Sequence, residues 1–197
     1  MKFIDTIKNI FKIEDLRARI IYTLGIVALY RLGKYITLPG IDPSMLGNLQ
    51  DQTSKGIMGL LDMFSGGAFS QASVFALGIM PYISASIVIQ LLGIVFPYFQ
   101  KLQKEGESGR RKMNQYTRYL TVLILILQAP TYLANLHAVL PPEVFVLQGT
   151  FFTLSSVIIL TAGTIFVMWL GEKITDKGIG NGISLIIMVG IIARFPL

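Results

Sequence analysis

The chain has 197 residues, of which 53% are apolar and 14% are charged, and its mean hydropathy is +0.63. Soluble domains hold about 25% charged residues, so this composition indicates an integral membrane protein built from apolar helices. The net charge of +6 is typical of basic loops beside anionic headgroups and argues against a dedicated nucleic-acid-binding domain, although contact with ribosomal RNA stays open. Because the chain has no cysteine, disulfides and thiolate metal sites are excluded within it.

The first segment, residues 1–19, carries apolar side chains at helical spacing among lysines, which predicts an amphipathic helix on the cytoplasmic membrane surface. No small-residue cleavage site follows it, so a cleavable signal peptide is not expected. Residues 20–38 predict the first membrane helix. Its strictly apolar part is too short to span the bilayer, so we expect Arg31 and Lys34 to reach the far interface by extending along the helix.

A second helix is predicted at residues 56–67, where a glycine pair ends an apolar stripe at helical spacing. Its length is too short to cross a membrane. It could lie at the interface, or it could re-enter the membrane inside a protein-lined cavity. The stripe consists of Ile57, Leu60, Leu61 and Phe64.

Residues 73–97 predict a membrane helix with features that lipid contact alone does not require. Pro81 removes a backbone donor in the middle of the predicted helix, and Ser84 places a hydroxyl at membrane depth. At 100° per residue one face combines isoleucines with polar side chains, which favours a helix that lines a cavity or conduit. That face consists of Ile79, Ile83, Ser86 and Gln90.

Three further membrane helices are predicted at residues 119–136, 150–170 and 182–197, with a charged loop at residues 98–118. The last helix bears Ile183, Ile187 and Ile191 on one face. Five crossings place 13 of the 17 lysines and arginines on the side of the N-terminus. This bias predicts that the N-terminus lies in the cytoplasm.

Residues for catalysis are not apparent. His137 is the single histidine, so a zinc site built on a histidine pair is excluded, and no hydrolase or Walker motif occurs. The acidic residues are interpreted as loop residues, which argues against a proton relay. The glycine-rich stretch at residues 178–182 predicts a tight turn and a helix start rather than a phosphate loop. An enzyme is therefore not expected, and neither a cofactor nor a metal is.

Three stretches together resemble the N-terminal half of the SecY family, the main subunits of the bacterial protein-conducting translocon. The resemblance covers nearly the whole chain from Leu16. It implies an all-α polytopic fold with five transmembrane helices and a short re-entrant plug helix, as one half of an inverted-repeat ten-helix channel. The stretches are MFSGGAFSQASVFALGIMPYISASIVIQLL at residues 63–92, KEGESGRRKMNQYTRY at 104–119 and MWLGEKITDKGIGNGIS at 168–184.

The resemblance also implies roles for individual residues. The implied pore ring is Ile79, Ile83, Ile187 and Ile191. The implied plug, residues 56–67, includes Ile57, Leu60, Leu61, Phe64, Gly66 and Gly67, with the glycines as a hinge. The implied lateral gate includes Ser84, Gln90 and Gln128. The implied cytoplasmic partner contacts are Lys104, Arg110, Arg111 and Lys112.

The function implied by the resemblance is that of a central channel subunit. It passes unfolded polypeptides across the bacterial inner (plasma) membrane and releases hydrophobic segments sideways into lipid. The implied partners are SecE, SecG, the SecA motor or the ribosome, polypeptides with signal sequences, membrane lipids and a second half of the same protein. Half of a small-solute secondary transporter is the alternative, which predicts a polar midplane site; a structural membrane subunit without a conduit is a third possibility. The chain is expected to be half of a split protein or part of a longer one.

Overall fold

A computed structural model describes residues 12–47, 57–147 and 149–193, which are mainly helical and contain no β-strand. This confirms the all-α fold class. Short 3-10 turns occur at Pro43–Met45 and Pro142–Val144. The helices in these ranges are α1 (Glu14–Gly33), α2 (Ile57–Phe64), α3 (Met80–Val95), α4 (Pro97–Lys104), α5 (Glu107–Val139), α6 (Thr150–Lys177) and α7 (Gly182–Ile192).

Two helices in the described ranges, α5 and α6, are long and apolar enough to cross a membrane. Helices α3 and α4 meet the same criterion only as a pair, and the chain bends by 102° between them. Helix α7 is apolar but has 11 described residues. The apolar helices indicate a membrane protein, while the expected count of five crossings stays a prediction.

Helix α6 packs against α1, α5 and α7. Helix α5 also packs against α3 and α4, and α2 packs against α7. Glycines allow the closest approaches: a Cβ on Gly182 would lie 2.0 Å from the Gly171 carbonyl oxygen. Helix α7 is therefore seated directly on the backbone of α6.

The helix predicted at residues 73–97 begins later than expected, at Met80. The preceding residues form turns, in which Ala72 and Gly78 have φ values of +44° and +53°. These left-handed conformations interrupt a helix, and Val74 N instead donates to the Ile36 carbonyl at 2.9 Å. Pro81 consequently lies in the first turn of α3, where its missing N–H is tolerated.

The charged stretch predicted as a loop, residues 98–118, is helical over most of its length. Helix α4 begins at Pro97, and Gly106, with φ +69°, precedes α5. A Cβ on Gly109 would lie 1.7 Å from the Leu102 carbonyl oxygen, so the corner requires glycine there. The loop prediction was wrong because Lys, Arg and Gln are good helix formers, so α5 extends from its apolar part into the charged stretch.

The other predicted bounds also shift. Helix α1 is Glu14–Gly33 instead of residues 20–38, α5 extends the segment predicted at 119–136 at both ends, and α6 continues the one predicted at 150–170 to Lys177. Most of the surface helix predicted at residues 1–19 lies outside the described residues, and so do Gly56 and residues 194–197. The part of that segment from Glu14 onward belongs to α1.

Candidate functional site

The isoleucines of α3 and α7 face a common cleft. Ile83 and Ile187 line it, and both pack in one apolar cluster with Ile79, whose side chain is 3% exposed. Ile191, one turn further along α7, is partly buried but is not a member of this cluster. The structure thus brings together three of the four residues predicted for the ring.

The cleft is polar at one end. Gln90, near the end of α3, lines it together with Asn181, which precedes α7, so the two helices run antiparallel. The Gln90 Nε2 donates to the Ser86 Oγ at 3.2 Å, and Ser184 contributes a further hydroxyl. The polar residues therefore occupy the end of the cleft at which α7 begins, and the isoleucines lie deeper along it.

Helix α7 is positioned by its first residues. The Asn181 side chain accepts hydrogen bonds from the backbone N–H groups of Ile183 at 3.1 Å and Ser184 at 3.2 Å, which satisfies donors that a helix start leaves open. The Gly182 N–H donates to the Thr175 hydroxyl of α6 at 2.9 Å. The predicted tight turn and helix start at residues 178–182 is confirmed.

A second polar cavity adjoins the cleft and shares Tyr82, Ser86, Gln90, Asn181 and Ile183 with it. An ion pair on its wall joins α5 to α6. The Arg118 Nε donates to the Glu172 Oε1 at 2.9 Å, and an Arg118 terminal nitrogen binds the other carboxylate oxygen. This two-pronged contact ties the polar ends of the two longest described helices together.

The predicted plug segment contains α2, which packs against α7. Leu61 contacts a buried apolar cluster, whereas Leu60 is 55% exposed. Phe64 is partly buried, and the side chain of Ile57 lies outside the described part of the chain. Gly66 and Gly67 follow the helix with φ values of +67° and +90°. These two glycines end α2, as predicted.

The chain leaving α2 is fixed by side chains from several elements. The Tyr30 hydroxyl donates to the Ser65 carbonyl at 3.2 Å, and Lys34 Nζ donates to the Gly66 carbonyl at 3.0 Å. On the other side, the Tyr132 hydroxyl of α5 donates to the Phe69 carbonyl at 2.9 Å. The glycines expected to act as a hinge therefore lie in a stretch that is bonded on both sides, where they serve helix termination and close packing.

Sequence reasoning missed Asp62, which lies inside α2 and is buried. Its carboxylate accepts the Ser70 N–H at 2.8 Å, and its carbonyl accepts the Gly67 N–H at 2.8 Å. The interpretation of every acidic residue as a loop residue was wrong here. The available signal was a single acidic residue within the predicted amphipathic helix, close to the glycines that it supports.

The polar residues predicted for the gate divide between two sides of α3. Ser84 and Gln128 line one groove between α3 and α5, which Thr131 and Asn135 also line. Gln90 is absent from that groove and lines the cleft toward α7. Leu61 of α2 borders the groove, so the predicted plug segment adjoins the predicted gate.

The basic residues predicted to contact a cytoplasmic partner lie near the corner between α4 and α5. Lys104 ends α4, and the other three lie in the first turns of α5. All four are exposed, and Arg110 also lines the polar cavity beside Arg118. The corner thus presents a cluster of positive charge, consisting of Lys104, Arg110, Arg111 and Lys112.

Comparison with solved structures gives the fold. The chain is similar to Sec61 in the canine ribosome–channel complex from the endoplasmic reticulum, with a TM-score of 0.58 and 20% identity over 88% of this chain and 36% of that chain. A structure described as that of a protein conducting channel has the same values.

Comparison with curated sequences gives the family. The chain is 48% identical to the protein translocase subunit SecY of Streptomyces coelicolor, over 94% of this chain and 45% of that protein. It is also 48% identical to the subunit of the same name from Escherichia coli K12, over 92% of this chain and 41% of that protein. The chain thus spans less than half the length of these relatives. The SecY family profile matches residues 73–197, and the chain therefore belongs to the SecY family.

Proposed function

We propose that this chain forms part of a protein-conducting channel, in which α3 and α7 supply one side of an apolar constriction. One observation carries the proposal, the order of residues along α7. Asn181 and Ser184 line the polar end of the cleft, Ile187 follows at the apolar part, and Gly190 lies against the chain leaving α2. A polar entrance, a constriction and a plug would then follow one another along a single path.

The isoleucines suit a constriction that opens for a polypeptide and resists ions. An ion that enters a narrow apolar passage loses hydration without gaining ligands, and this loss is costly. Branched aliphatic side chains offer no hydrogen bonds, yet their packing can adapt to a passing chain. A small-solute transporter would need polar ligands at this depth, whereas Ile79, Ile83 and Ile187 pack there as an apolar cluster.

The gate is the second part of the proposal. Ser84 and Gln128 lie in one groove between α3 and α5, and we infer that this groove forms one wall of a lateral exit toward lipid. Polar groups in such a wall would tune its closed state, since a hydrogen bond contributes about 1 kcal/mol to the balance between closed and open forms.

Partners and location complete the proposal. We place the chain in the bacterial inner membrane with a cytoplasmic N-terminus, on the basis of the distribution of basic residues. SecE, SecG and a second half of the protein would complete the channel. The exposed basic corner around Arg110 and Arg111 would contact SecA or the ribosome. The chain would bind signal sequences and lipids and would have no catalytic activity of its own.

The test replaces Ile83 and Ile187 with serine in the intact membrane protein and measures conductance in planar bilayers. We expect the resting ion conductance to rise because water and ions enter a more polar constriction. The matched control replaces two exposed isoleucines of the same helices, Ile94 and Ile192, and should leave conductance unchanged. Equal conductance in both double variants would refute the constriction.

A further inference from the structure

The end of α1 and its C-cap residue Lys34 make three contacts with other elements. The Arg31 guanidinium donates to the Val189 carbonyl of α7 at 3.1 Å. Lys34 Nζ donates to the Gly66 carbonyl at 3.0 Å, and the Tyr30 hydroxyl donates to the neighbouring Ser65 carbonyl at 3.2 Å. The end of α1 and Lys34 therefore bind both α7 and the chain that leaves α2.

We propose that Tyr30, Arg31 and Lys34, together called the α1 latch, hold the plug segment closed against α7. This inference rests on the proposed function and deepens it, because it identifies positioning residues that act outside the conduit. None of the three lines the cleft between α3 and α7. The three side chains would stabilise the closed state by binding backbone carbonyls, so their effect does not depend on the side chains of the plug segment.

Cationic donors suit the carbonyls that they meet. The Val189 carbonyl accepts the Ala193 N–H at 3.2 Å, and because a carbonyl oxygen has two lone pairs it can bind the Arg31 guanidinium as well. The Gly66 carbonyl lies just after α2 ends, and a glycine there leaves room for a side chain to approach. Hydrogen bonds from charged donors are about twice as strong as neutral ones, and a low-dielectric environment strengthens them further.

Helix α1 can serve as the fixed side of the latch because it is anchored at its middle and near its end. At the middle of α1, the Thr23 hydroxyl accepts the Ile179 N–H at 3.3 Å beyond the end of α6. Near its end, the buried Tyr30 ring stacks on Phe75 with centroids 6.2 Å apart. Since α6 packs against both α1 and α7, the latch joins the chain that leaves α2 to helices that are packed together.

The latch also changes the interpretation of the basic residues. From sequence, Arg31 and Lys34 were expected to extend to the membrane interface, but their terminal nitrogens bind backbone carbonyls of this chain. Opening the plug away from α1 would have to break the Lys34 and Tyr30 contacts. Separating α7 from α1 would break the Arg31 contact.

Amide hydrogen exchange in lipid nanodiscs tests the latch directly, with the intact protein and mass spectrometry of peptides covering residues 57–70. Lys34→Met removes the charged donor but keeps much of the side-chain length, and we expect exchange in this segment to accelerate about tenfold. Lys34→Arg keeps a cationic donor and should exchange as the unsubstituted protein does. Lys173→Met, which removes a lysine at the Trp169 ring, is the control for charge loss elsewhere.

Exchange in α5 and α6 shows whether each variant folds, and the same variants are measured for ion conductance. Faster exchange at residues 57–70 together with a raised conductance in Lys34→Met supports the latch. Unchanged exchange in both Lys34→Met and Arg31→Met refutes it, even if the isoleucine variants conduct as expected. Faster exchange with unchanged conductance also refutes a sealing role. The isoleucine experiment tests the conduit separately, because its substitutions do not touch the latch.

Discussion

Gly66, which follows α2, lies against Gly190 near the end of α7, so closely that a Cβ on Gly66 would be 3.1 Å from the Gly190 Cα. The contact is between two backbones. Gly190 follows Ile187 by less than one helical turn, so the chain leaving α2 meets α7 directly beyond the proposed constriction.

We predict that Gly66→Ala loosens the plug. Its φ of +67° is unfavourable for alanine by about 1–2 kcal/mol, and the added methyl group also presses on Gly190. Resting conductance and hydrogen exchange at residues 57–70 should both rise. Gly106→Ala is the matched control, because Gly106 has a φ of +69° and no atom within 4 Å of its Cβ position. If both alanines raise conductance equally, general strain and not the plug contact is responsible.

A second glycine contact, between α6 and α7, predicts an effect on stability. A Cβ on Gly182 would lie 2.0 Å from the Gly171 carbonyl oxygen, and the backbone cannot yield as a flexible side chain could. We expect Gly182→Ala to lower the free energy of unfolding by about 1–3 kcal/mol, measured by thermal or denaturant unfolding in detergent micelles.

The control for that prediction is Gly25→Ala in α1, where nothing lies within 4 Å of the Cβ position. Alanine there should stabilise the helix by up to about 1 kcal/mol. A Gly182→Ala variant that unfolds at the same midpoint as the unsubstituted protein would show that α7 is not seated on α6 as described.

The parts of the fold that the sequence predicts are those with a local physical cause. The stripe of Ile57, Leu60, Leu61 and Phe64 predicts α2 through helical spacing, and the glycines after it predict its end. Helical spacing predicts one isoleucine face on each of α3 and α7, whereas the family resemblance implies that the two faces meet; Ile83 and Ile187 do line one cleft. Periodicity and termination signals are short-range, so they can be read without knowing what packs nearby.

The parts that the sequence does not predict depend on contacts between distant residues. The helix start at Met80 follows from a turn that binds the end of α1, as in the bond from Val74 N to the Ile36 carbonyl. The carbonyl contacts of Arg31 and Lys34 can be predicted only once the positions of α7 and of the chain leaving α2 are known. Without them, extension to the interface is the reasonable expectation for a cation at a helix end.

The ion pair between Arg118 and Glu172 is predicted to contribute little to stability despite its good geometry. The side chain of Arg118 is 50% exposed and that of Glu172 is 20% exposed, so water and salt screen the charges. A double-mutant cycle with Arg118→Ala and Glu172→Ala should give a coupling free energy of about 0.2–1 kcal/mol, reduced at high salt. A much larger coupling that does not depend on salt would place the pair in a low-dielectric environment.

The start of α7 leads to a prediction about a cap. Asn181→Ala removes both hydrogen bonds to the first N–H groups of the helix and should cost about 0.5–2 kcal/mol of stability. Asn181→Asp keeps an acceptor at the same place and should retain most of that stability. Both are measured by unfolding in detergent. Equal losses in the two variants would show that the amide group, and not the cap, matters.

Deleting α2, residues 57–64, should loosen the seal without abolishing transport. The chain after it stays attached through the bonds of Tyr30, Lys34 and Tyr132 to its carbonyls, so the rest of the channel keeps its support. We expect resting conductance to rise while the intact protein in proteoliposomes still imports a secretory precursor. The deletion also removes the buried Asp62, whose carboxylate binds the Ser70 N–H.

Two variants of Asp62 separate these effects. Asp62→Asn keeps an oxygen acceptor for the Ser70 N–H, whereas Asp62→Ala removes it, and a loss of import in the alanine variant alone would assign the defect to the turn that follows α2. Loss of import in the deletion, with import retained in both Asp62 variants, would mean that α2 is a structural helix of the channel. If α2 is a removable plug, the deletion retains import, because a segment that leaves the pore during transport stabilises the closed state and not the open one.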